Sequence, residues 1–266
     1  MTSQIVLALS SQKASHSWTF GKEVLGALKE CDDNLWPDRV GHDETDFRKK
    51  LPCQPVDDLE SLLATHEDYI EEVGLEDGVP DQFLQRLIWK RAKPLKARGS
   101  FHSAWYNRVA WGRLPSRALL KTKYAKRIDH LSLFKRWCAL YEPEQAYLHF
   151  VTKHVRDEDR APGDKLAPPG DTERKKDASL RGFLGPLQDE KTFDLGSVNF
   201  FSRDWLGETV ISNLQNSDIP IIPHANGVLV VLADCLENLE QDFEAFTALR
   251  RVAKSIMGVE RFDLRD

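Results

Sequence analysis

Charge in this chain is sorted along its length, and that sorting restricts how it can fold. Residues 30–81 hold 17 Asp or Glu against 4 Lys or Arg, while residues 82–128 hold 13 Lys or Arg and no acid at all. Ion pairs within either stretch cannot balance it. The two must neutralise each other within the fold, or one must be offered to a charged partner. The overall charge of −5 conceals this asymmetry. Such a chain reads as a binding protein before it reads as an enzyme.

A length of 266 residues with 41% apolar and 30% charged residues fits a soluble globular protein of one large or two small domains. Cys31, Cys53, Cys138 and Cys235 are widely spaced and form no C-x-x-C pair, which points to reduced thiols in an intracellular setting. The apolar run near the N-terminus is too short and too uncharged for a signal peptide, and no window approaches the ~20 apolar residues of a membrane span. The expected location is the cytoplasm, with no membrane partner.

Periodicity then places the elements. Gln4–Leu9 is β-rich and predicts a first strand, followed by a helix over Thr19–Lys29 with Phe20, Val24, Leu25 and Leu28 on one stripe. Cys31–Pro55 is polar, acidic and interrupted by three prolines, and reads as loop. Val56–Val73 predicts an amphipathic helix whose outer face gathers Asp57, Glu60, Glu67, Asp68, Glu71 and Glu72. That face is either simply solvated or a partner-binding surface. Pro80–Ala92 reads as a short helix, Ser100–Trp111 as a strand or hairpin, His130–Leu140 as a helix and Ala146–Thr152 as a strand. Residues 156–181, charged and rich in Pro and Gly, form the strongest loop signal.

Beyond that loop the pattern predicts a strand at Leu195–Phe201, a helix over Asp204–Leu214 capped by Ser202, and a hairpin of Pro220–Pro223 and Val228–Ala233 turning at Asn226-Gly227. A final helix opens on an Asp234/Glu237 capping box, carries Leu236, Leu239, Phe243, Phe246, Leu249, Val252 and Ile256, and stops at Gly258. The implied class is α+β, with mixed or antiparallel sheets packed against amphipathic helices in one or two lobes. The N-terminal lobe would span 1–155. Residues 182–266 would form the C-terminal region, able to pack with 130–155 as one domain.

The basic segment interleaves cations with large rings. Arg91, Lys93, Lys96, Arg98, Arg108 and Arg113 could neutralise phosphates while Trp105 and Trp111 stack on bases, so nucleic-acid binding by residues 86–127 is the alternative function. The same alternation also describes a half-buried strand with Trp inward and Arg outward. Glu173-x-Lys175 after Asp164 superficially fits a restriction-nuclease pattern, but those residues lie in the loop, where nothing would hold a metal. His149, inside an apolar strand, reads as a packed and hydrogen-bonded residue rather than a ligand; His154, five residues on, falls on the opposite face of a strand, and His224 has no acid or nucleophile beside it. There is no G-x-S-x-G, phosphate loop or G-x-G-x-x-G. No catalytic residue, metal site or cofactor is expected.

Three segments of the second half carry a resemblance. Leu133–Phe150 (LFKRWCALYEPEQAYLHF), Gly196–Val210 (GSVNFFSRDWLGETV) and Pro220–Asp234 (PIIPHANGVLVVLAD), with Asn199, Phe200, Trp205, Gly207, Asn226 and Gly227, are similar to bacterial polymorphic-toxin immunity proteins, specifically the immunity protein 52 family. The resemblance covers about half the chain. It implies an α+β protein without catalytic activity that binds and silences a cognate toxin made by the same cell. Such toxins are often of the restriction-nuclease type and are delivered by contact-dependent systems such as type VI secretion. The aromatic and glycine positions that carry the likeness read as structural. A nuclease presents a basic surface to phosphates, so the acidic face at 57–72 is the expected surface for the toxin.

Overall fold

The computed structural model describes residues 3–15, 18–41, 74–76, 78–80, 87–107, 112–151 and 195–262. The chain divides into two compact units, one of residues 8–141 and one of 142–266 together with 1–7. The class is α+β with antiparallel strand pairing. Residues 142–151 group with the C-terminal unit.

Strand β1 (Gln4–Ser11) buries every residue from Ile5 to Ser11, the unbroken pattern of a strand covered on both faces. Helix α1 (Trp18–Cys31) follows, then a 3-10 turn (Asp33–Leu35) and strand β2 (Arg39–Gly41). The predicted loop over Cys31–Pro55 therefore holds regular structure in its first part. Asp32 explains the turn, because its carboxylate accepts from the Asn34 N–H at 2.7 Å. Two short strands, β3 (Leu75–Glu76) and β4 (Val79–Pro80), pair with each other.

Strand β5 (Leu87–Arg91) stands where a helix is predicted over Pro80–Ala92. Leu87, Ile88 and Trp89 are all buried, and a run of consecutive apolar residues suits a strand covered on both faces better than a one-faced helix. It pairs with β2 on one side and β6 (Ala97–His102) on the other. Strand β7 (Trp105–Asn107), inside the predicted Ser100–Trp111 strand or hairpin, forms a small separate ribbon with β8 (Gly112–Leu114), which lies just beyond it, and β9 (Ser116–Lys123) pairs with β6. The order in this unit is β9-β6-β5-β2. Gly99 on β6 lies opposite Trp89 and Leu120, and a Cβ there would stand 2.2 Å from the buried Trp89 ring. Helix α2 (His130–Tyr141) closes the unit on α1, with the Trp137 indole N–H donating to the Val24 carbonyl at 3.2 Å. The Phe20 and Tyr141 rings meet edge to face at 4.7 Å.

In the second unit, β10 (Gln145–Val151), β11 (Val198–Ser202), β12 (Ile221–His224) and β13 (Gly227–Val231) align in the order β12-β13-β11-β10. The helix predicted over Asp204–Leu214 is two helices, α3 (Arg203–Leu206) and α4 (Glu208–Gln215), because Gly207 between them adopts φ 84°. Ser202 caps α3 as expected, accepting from the Trp205 N–H at 3.3 Å. The hairpin turns at Ala225-Asn226, one residue earlier than predicted, with His224 opposite Gly227. Gly227 is the first residue of β13, and glycine is required there because a Cβ would meet the Phe201 carbonyl at 2.2 Å.

The last predicted helix is also broken, into α5 (Leu236–Gln241) and α6 (Phe243–Met257). Asp242 makes the break: its carboxylate accepts from the Ala245 N–H at 2.8 Å and caps α6. Asp234 does not cap α5, whose N-cap is Cys235; it accepts from the Asn238 side-chain amide at 2.7 Å. Gly258, at φ 96°, ends α6 as expected. The helix predicted over 56–73 and the loop over 156–181 lie outside the described residues.

Candidate partner-binding surfaces

The acidic candidates Asp57, Glu60, Glu67, Asp68, Glu71 and Glu72 lie outside the described residues. What can be placed is where their segment is attached. The described part of β2 ends at Gly41 and β5 begins at Leu87, and Gly41 stands opposite Ile88 in the β2–β5 register. Residues 42–86 between them hold 13 Asp or Glu and 4 Lys or Arg. This acidic excursion thus begins and ends on two neighbouring strands.

Those strands belong to a basic face. Directly opposed residues of an antiparallel pair project to the same side of a sheet. The register aligns Arg39 with Lys90, Lys90 with Arg98, and Arg98 with Lys121, so four cations form one row across β2, β5, β6 and β9. Lys96 and Lys123 add a second row on the same side, two residues from Arg98 and Lys121 and joined by the Lys123 N–H to Lys96 carbonyl bond of 3.1 Å. Arg39, Lys96, Arg98 and Lys123 are exposed.

The candidates taken from sequence divide accordingly. Lys96 and Arg98 stand on this face, and Lys93 is exposed in the preceding turn. Arg91 alternates to the other side of β5, where its guanidinium donates to the carbonyls of Lys93 (2.6 Å) and Trp36 (3.2 Å). Trp105 and Arg113 sit on the β7–β8 ribbon, half-buried, and Arg113 donates to the Gln12 carbonyl. Arg108 and Trp111 lie outside the described residues. Sequence reasoning missed Arg39, Lys90, Lys121 and Lys123. Their only linear signature is the period-two spacing of Lys121 and Lys123.

The second unit carries a cleft of about 500 Å³ lined by Glu142, Glu144, Ser202, Asp204, Trp205, Asn226 and Arg261. The Trp205 ring stacks on Phe201 at 5.3 Å, and the Arg261 guanidinium lies 5.0 Å over it. The Ser202 N–H donates to the Glu144 carbonyl, and the Arg203 N–H to the Asn226 carbonyl, both at 3.0 Å. Two of the positions that carry the family resemblance, Trp205 and Asn226, therefore line this cleft. Asn199 has a different job: its buried amide accepts from the Gly196 N–H at 2.7 Å and donates back to the Gly196 carbonyl at 3.0 Å, fixing the entry to β11.

The fold has a solved counterpart. The chain is similar to the Pseudomonas aeruginosa T6SS protein PA0821, with a TM-score of 0.56 and 11% identity over 98% of this chain and 77% of that one. At that identity the likeness is one of fold. No family model matches the chain, and no curated protein matches it significantly. The resemblance to the immunity protein 52 family therefore rests on the three segments quoted above.

Other polar groups are committed to packing. His149 is buried, with Nδ1 3.1 Å from the Ser197 hydroxyl and its ring stacked on Phe246. Cys31, Cys138 and Cys235 are free thiols, and burial pushes Cys31 up to about 11 and Cys138 well above its ordinary value. Cys53 lies outside the described residues. Among the described residues no three His, Cys, Asp or Glu side chains gather to hold a metal ion, and no helix is long and apolar enough to cross a membrane.

His130, at the start of α2, is 3% exposed, and desolvation lowers its pKa from 6.5 to about 4 against the opposing pull of Asp129 and Asp32. Folded His130 stays neutral while the unfolded chain takes up a proton below pH 6.5, so stability falls as pH drops from 6.5 towards 4. Urea unfolding should show a loss of about 2 kcal/mol between pH 7.5 and 5 from this group, and His130→Gln should flatten that slope. Asp32 and Asp129, both held below their ordinary values, act only at lower pH.

Proposed function

We propose that this chain is a non-enzymatic binding protein that neutralises a cognate secreted toxin of the kind type VI systems deliver, through a charge-matched protein–protein interface. The observation that carries the reading is the mounting of the acidic excursion. A segment with a large excess of carboxylates joins two adjacent strands of a sheet. Dense negative charge suits rapid, electrostatically steered capture of a basic protein such as a nuclease. The fold likeness to a T6SS protein and the three family-like segments support the same reading.

The test is co-expression with a candidate type VI effector encoded beside this chain's gene. Restored growth and co-purification are expected; persistent toxicity without complex formation would contradict the reading. With the complex in hand, Glu67→Lys combined with Glu71→Lys should slow association at least tenfold at low salt and flatten its salt dependence. Unchanged association kinetics would remove the 56–73 segment from the interface.

A further inference from the structure

We infer that the cleft of the second unit is the anchor point of the toxin interface, where it takes an exposed peptide loop of the toxin that carries a lysine or arginine. This deepens the neutralisation reading and rests on it. Four stretches far apart in sequence meet at the cleft. Glu142 and Glu144 lead into β10, Asp204 and Trp205 follow β11 in α3, Asn226 stands at the hairpin turn, and Arg261 comes from a closing 3-10 turn (Val259–Arg261). At about 500 Å³ the hollow is in the size range of ligand sites and takes a side chain together with the backbone around it.

The walls are built in the free chain. Backbone bonds from Ser202 to Glu144 and from Arg203 to Asn226 tie the segments together, and the Arg203 guanidinium pairs with Glu208 at 2.8 Å. Trp205 is fixed by Phe201, stacked at 5.3 Å, and by the Arg261 guanidinium 5.0 Å over its ring. Side chains so held lose little freedom on binding. Among the described residues, the two non-glycines at positive φ are Glu142 (45°) and Ala225 (47°); one lines the cleft and the other precedes Asn226. Such strain persists where the surroundings enforce it, and binding sites are where it collects. The polar groups decide the occupant. Asp204, Trp205, Asn226 and Arg261 make no side-chain hydrogen bond or ion pair among the described residues. Asp204 and the Asn226 side-chain carbonyl accept, while the indole, the amide and the guanidinium donate. A simple ion uses one half of that set. A peptide segment uses both, because its backbone carries N–H and C=O groups together. Glu142 and Glu144 have interactions of their own, and the charge of Arg261 rests on the Trp205 ring, so the charge left to meet a partner is that of Asp204. Its complement is a cation.

The test uses the full chain in complex with the effector that co-purifies with it. Asp204→Arg reverses the charge and Asn226→Trp fills the hollow, both at exposed positions. Each, with a thermal melt matching the parent, should speed dissociation at least tenfold, in contrast to the association-rate effect expected at Glu67 and Glu71. Asp218→Arg, the same charge change at an exposed position ahead of β12, should alter dissociation less than twofold. Hydrogen exchange on the unaltered chain gives a readout without substitution: the amides of 202–206 and 225–226 should slow when the effector binds. Dissociation of both variants at the parent rate, an equal effect of the Asp218 reversal, or exchange at those amides unchanged by the effector would each overturn the cleft as anchor while leaving neutralisation in place. An effector that the parent chain fails to hold contradicts the neutralisation reading, and this site with it.

Discussion

Gly99→Ala should destabilise the N-terminal unit by about 3 kcal/mol or more, a large share of the margin by which domains of this kind are folded. The added methyl would stand 2.2–2.3 Å from the six-membered ring of Trp89 and 2.5 Å from the Leu119 carbonyl. Neither can retreat easily. Trp89 is 1% exposed, and the carbonyl belongs to the neighbouring strand of the sheet. Circular dichroism melts of the full chain will show the loss, and Trp89→Leu introduced alongside should recover part of it by making room. A purely additive loss in that pair would mean that the ring is not the obstacle. The same substitution bears on the basic face, because the Trp89–Gly99–Leu120 row lies one residue out of phase with the cation row and helps to set its register.

The second large effect is at the helix pair. Trp137→Ala should cost 3–5 kcal/mol, the range for truncating a large buried aromatic side chain. Trp137 is 1% exposed and joins α2 to α1 through its bond to the Val24 carbonyl. Trp137→Phe separates the two contributions. It keeps most of the ring volume but leaves the Val24 carbonyl without its donor, so a smaller loss of about 1–2 kcal/mol is expected. A phenylalanine variant as unstable as the alanine variant would shift the weight from packing to the hydrogen bond.

The elements legible in the sequence are those whose local pattern and tertiary environment agree. Helices α1 and α2 carry apolar residues at the helical period, strands β1 and β10 are short apolar-rich runs buried on both faces, and the ends of all four fall within two residues of expectation. The misreadings arise where one residue outweighs the pattern around it. Gly207 and Asp242 each split a helix whose apolar stripe runs on through the break, and Ala225 takes the positive-φ turn position expected of its neighbours. At Leu87–Arg91 the chain is too short a run for periodicity to separate a buried strand from a helix, and pairing to β2 and β6 decides it.

The candidate surfaces divide in the same way. The excess of charge in each segment is a property of composition and is visible at once. The alignment of Arg39, Lys90, Arg98 and Lys121 is a property of strand register, which linear spacing does not encode. For the same reason the listing of Arg91 beside Lys93 and Arg98 in sequence concealed that the pleat sends it to the opposite face.

The central claim is that this chain acts by occupying a partner, one molecule to one, and turns over nothing. Titrating a fixed amount of the purified cognate toxin with the purified chain tests it most directly. Toxin activity should fall linearly and reach its floor at an equimolar ratio, and removing the chain should restore it. Complete and lasting inactivation by a small fraction of an equivalent would mean that the chain modifies its target, and would contradict the claim.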